Sequence, residues 1–64
     1  MRVIVQREGG STLFESQYAH LPGVGDTIRV EFTGYPVGQY TVTRREWVEP
    51  EGKPPYVKLL VVWE

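Results

Sequence analysis

Residues able to do covalent chemistry are few and scattered. His20 is the single histidine, there is no cysteine, and Ser11 and Ser16 have no base beside them in the sequence. A hydrolytic triad needs a nucleophile, a base and an orienting group converging in one pocket, and only His20 with Asp26 approximates the last two. His20 reads more simply as a surface-loop histidine. Glu46, Glu49 and Glu51 would be candidates for paired acid and base work, but they surround Pro50 and read as solvated. One histidine among dispersed carboxylates has no recognisable metal-ligand spacing. The expectation is a chain that is not an enzyme and takes neither metal nor cofactor.

Binding chemistry is better represented. The chain holds eight aromatic rings, more than the core of so small a domain accommodates. Tyr35 falls at a turn tip and Tyr56 follows Pro54-Pro55, so both are expected to be partly exposed. An exposed ring offers large contact area at low entropy cost, as a stacking platform for bases or an anchor in protein recognition. The plain alternative is that these tyrosines only cover the ends of the fold. Arg44 and Arg45 beside Trp47 are the nearest approach to a basic and aromatic interleaving. One arginine would point to a phosphate or carboxylate, or the pair would form surface salt bridges with Glu46 or Glu31 worth under about 1 kcal/mol. Together with Tyr40, Lys58 and the apolar pair Leu60 and Val62, these residues form the candidate binding set.

The elements that must position these side chains are strands. Ile28, Val30 and Phe32 alternate with Thr27, Arg29 and Glu31, and Tyr40 and Val42 alternate with Thr41 and Thr43. A period of two marks half-buried strands. The expected order is strand 1–8, a Gly9-Gly10 turn with positive φ, strand 11–19 with Phe14 inside, and a loop at 20–25. Asp26 should accept hydrogen bonds from the local backbone as strand 27–33 begins. A turn at 34–38 leads into strand 39–48. There strict alternation would bury Arg44 and Glu46 and expose Trp47, so a β-bulge is expected at Arg44 or Arg45, returning Trp47 to the core side. A proline-rich loop at 49–55 precedes strand 56–64, which is apolar on both faces over its final half. Such a strand is central, lies where a barrel curls, or has a partner over one face.

No segment carries helical apolar spacing, and five strands joined by Gly/Pro turns point to an all-β domain spanning 1–64. A small five-stranded antiparallel SH3-like barrel fits the length better than an OB-like barrel or an open meander. With 64 residues and 41% hydrophobic content, modest stability is expected. The absence of cysteine fits a reducing, cytoplasmic setting, and no apolar run suggests a signal peptide or membrane span. A net charge of −1 weighs against sequence-independent nucleic-acid binding, which depends on a basic excess.

The run Gly25-Asp26-Thr27-Ile28-Arg29-Val30, followed by Gly34, Gly38, Tyr40 and Val42, resembles the KOW motif of SH3-like barrels in ribosomal and transcription-elongation proteins. The turn here is one residue longer, and Tyr40 stands where the motif prefers glycine. The chain also resembles small β-barrel proteins of bacteria and phages without an assigned role. The KOW resemblance implies contact with RNA or with the transcription or translation machinery. The leading expectation is a non-enzymatic module that binds another protein through its aromatic and arginine surface, or through the edge or outer face of the last strand. RNA or DNA binding through Tyr35, Tyr40, Arg44, Arg45 and Lys58 is the alternative, and a structural homo-oligomer or assembly subunit the third.

Overall fold

The computed structural model describes residues 1–34 and 36–63. The chain is all-β, with β1 at Arg2–Arg7, β2 at Thr12–Gln17, β3 at Thr27–Val30, β4 at Gly38–Val48 and β5 at Tyr56–Trp63. These form one curled sheet, a half-barrel, in the order β2-β1-β5-β4-β3. The sheet is mixed rather than purely antiparallel, because β1 and β5 pair in parallel, Val3 against Val57 through Arg7 against Val61. The reason lies in the connections. The β1–β2 hairpin and the β3–β4–β5 meander are each antiparallel, and the two units join through their first and last strands. β5 is therefore central, with β1 and β4 on its two sides.

Cross-strand partners share a face of a sheet, so the register sorts the side chains. Val3, Val5, Val42, Val57, Leu59 and Val61 form the buried inner face. Ile4, Lys58, Leu60 and Val62 belong to the outer one. Phe14, Tyr18, Leu21, Ile28 and Tyr40 pack against the inner cluster from the rim. Each fully buried aliphatic chain contributes roughly 1.5–3 kcal/mol, and among the described residues six aliphatic side chains reach that state.

Two irregularities tune the alternation. On β4 the register shifts between Val42 and Arg44, leaving Thr43 as the extra residue. The bulge therefore sits one position ahead of the arginine pair. It does restore the phase: Trp47 stands opposite buried Val57, on the inner side. Trp47 is nonetheless 53% exposed, not core, because it lies near the end of the strand, where its indole Nε1 donates to Glu49 Oε1 at 2.9 Å. On β2 a second shift skips Leu13 between the Val5–Phe14 and Gln6–Thr12 pairs.

The turns follow local chemistry. Gly9 adopts φ +71°, while Gly10 N–H donates to the Arg7 carbonyl at 2.9 Å. Asp26 Oδ2 accepts from Gly23 N–H at 2.7 Å, fixing the entry to β3. That strand ends at Val30, three residues short of the expected span. Phe32 thus leaves the strand and is 49% exposed instead of continuing the inner row. Among the described residues no helix is long and apolar enough to cross a membrane.

Candidate functional site

The open side of the half-barrel lies between β2 and β3, the two edge strands. Here the inner face surfaces as a cleft of about 510 Å³ lined by Leu13, Phe14, Val30, Phe32, Pro36, Gly38, Tyr40 and Trp63. None of these side chains carries a formal charge. The bulge at Leu13 brings two consecutive β2 residues, Leu13 and Phe14, to the same cavity. Phe14 meets Phe32 edge to face with centroids 5.4 Å apart. Tyr40 and Trp63, opposite each other on β4 and β5, form a second edge-to-face pair at 5.1 Å.

Gly38 gives the second pair room. A Cβ there would lie 3.1 Å from both Trp63 Cζ3 and Tyr40 Cε2. That is tighter than ordinary van der Waals contact, so the bare backbone lets both rings settle over it. Trp63 remains 59% exposed at the mouth. An uncharged, aromatic concavity of this size suits an apolar side chain or ligand group.

The expected binding residues do not converge on this site. Tyr40 lines it, and Tyr35 lies outside the described residues. Arg44 pairs with Leu60 on the outer face and sits 3.7 Å from Glu46 Oε2. Arg45 pairs with Leu59, so the two arginines diverge to opposite faces. Lys58 stands beside Glu46 and Ile4 on the outer face. Tyr56, half-buried, lies under the Arg2 guanidinium at 5.0 Å. Leu60 is half-buried and Val62 exposed on that same face. Both edges of β5 are hydrogen-bonded, to β1 and to β4. An added strand therefore has no place on β5, and the free edges belong to β2 and β3.

Leu13, Phe14, Phe32, Pro36, Gly38 and Trp63 were not singled out as binding residues by sequence reasoning. Alternation assigns Leu13 to the opposite face from Phe14, and only the bulge reverses this. His20 is exposed in its loop, and among the described residues no three His, Cys, Asp or Glu side chains gather as a metal-binding group. In comparisons with known proteins, no family model matches the chain, nor does any curated protein or solved structure.

Proposed function

We propose that this chain is a non-enzymatic protein-interaction module whose binding surface is the aromatic cleft between β2 and β3. The observation that carries the reading is the concentration of half-exposed rings, Phe32 and Trp63 among them, around one uncharged cavity. Ligand sites are concave and lined mostly by apolar and aromatic side chains, and clustered aromatics in a pocket are the usual energetic centre of a protein interface. The SH3-like assignment belongs to this proposal. Its support is the curl of the sheet and the β3–β4 hairpin entered through Gly25-Asp26.

The test is selection of displayed random twelve-residue peptides on the immobilised protein and, in parallel, on the Phe32→Ser, Trp63→Ser double variant. Both side chains are half-exposed, so the variant should stay folded, with amide shifts changed only around the cleft. Enrichment on the parent alone supports the cleft. Equal enrichment on a folded double variant places the binding surface elsewhere.

A further inference from the structure

We propose, building on the interaction reading above, that the partner binds as an extended segment added to the free edge of β2, as a sixth strand whose alternate apolar side chains enter the cleft. The hydrogen-bond parity of β2 is fixed at its end. Met1 N donates to the Tyr18 carbonyl at 3.1 Å, and Tyr18 N–H donates to the Met1 carbonyl at 2.9 Å. In an antiparallel ladder such doubly bonded pairs alternate with pairs whose peptide groups point away from each other. Counting along the register, Val3–Ser16 and Val5–Phe14 are bonded pairs, while Arg2–Gln17 and Ile4–Glu15 are open ones. The peptide groups of Glu15 and Gln17 therefore point outward, toward the gap beside the cleft.

A row of outward N–H and C=O groups is complementary to another extended backbone, and not to a helix or a small apolar molecule. A residue seated opposite Phe14 or Ser16 shares their face, so its side chain is directed to the inner side, where Leu13 and Phe14 border the cavity. The β2 edge also suits this better than β3. It is six residues long against four, and its one charge, Glu15, is already paired with Arg2. Arg29 of β3 and Glu31 just beyond it are likewise paired with each other, so it is length that separates the two edges. A second copy of β2 is a poorer occupant than a partner segment, since its inner side offers polar Ser16 beside Phe14.

The experiment takes a peptide enriched on the native protein, synthesises it, and follows amide hydrogen exchange of the labelled full chain with and without it. The expected result is a sequence alternating apolar and polar residues, with Glu15 and Gln17 exchange slowed on the order of tenfold or more. Gln17→Pro removes an outward donor without breaking the β1–β2 ladder and should abolish binding. If that variant fails to fold, exchange on the native chain decides. A peptide that shifts Phe14 and Trp63 resonances while Glu15 and Gln17 exchange at their free rates overturns strand addition and leaves the cleft reading standing. Failure of any peptide to enrich overturns both. Slow exchange at these two amides in the protein alone, with a sedimenting dimer, assigns the edge to a second copy and overturns the proposal.

Discussion

Phe14 and Phe32 meet edge to face at 5.4 Å, tying β2 to the segment beyond β3, two parts of the sheet with no backbone pairing between them. The contact stands where a closed barrel would have hydrogen bonds. Phe32→Ala should lower stability by about 1 kcal/mol, the scale of one aromatic pair, measured by urea unfolding. A loss of several kcal/mol would mean that Phe32 supports the core and does not merely border the cleft.

Gly38→Ala tests the floor of the site. The new Cβ would crowd Trp63 Cζ3 and Tyr40 Cε2 at 3.1 Å each, so the two rings must give by a few tenths of an ångström. The expected outcome is a loss of about 0.5–1 kcal/mol with shifted Trp63 indole resonances. Unchanged resonances would contradict the packing of both rings over residue 38.

Leu59 and Leu60 are adjacent in sequence and opposite in the sheet. Leu59 is fully buried at the centre of the core, so Leu59→Ala should cost about 2–5 kcal/mol, enough to unfold a chain of this size. The half-buried Leu60 should cost about 1 kcal/mol when changed to Ala. Replacing Leu60 and Val62 together by Thr should leave peptide binding unchanged, since they face away from the cleft. Lost binding in that folded variant would restore the outer face as the interaction surface.

These neighbours also show what the sequence makes legible. Period-two alternation located all five strands and placed Tyr40 and Val42 on the inner side of β4, because burial of one face dictates that pattern. It also called for a bulge on β4, since Trp47 fell out of phase. The cleft was far less legible. Leu13 reaches it through a second bulge that nothing in its own alternation signals, and Phe32 reaches it because β3 stops at Val30. Trp63 and Tyr40 join across strands through a register that depends on Thr43 being skipped. Strand direction was equally hidden, since the parallel β1–β5 pairing is a property of how the hairpin and the meander dock.

The pH response should have two limbs. Hydrogen bonding to Arg2 holds the Glu15 carboxyl below its ordinary value. A lowered folded pKa contributes stability above the unfolded value, and the contribution is lost as pH falls through the folded one. Glu15→Gln should thus be less stable than the parent at neutral pH and converge with it in acid, with the gap narrowed by salt. Burial pushes the Tyr18 hydroxyl up. Its contribution is present below the ordinary tyrosine value of about 10 and lost as pH rises through the raised one, a limb that Tyr18→Phe should remove. Thermal unfolding across pH checks both.

The central claim is that a partner occupies the aromatic cleft, and the most direct measurement uses Trp63 as its reporter. In a Trp47→Phe background Trp63 is the one remaining indole, and it stands 59% exposed at the mouth of the cavity. Titration with a peptide selected on the native protein should shift its emission to the blue and saturate, as water leaves the ring. Saturable binding with Trp63 emission unchanged would contradict the account.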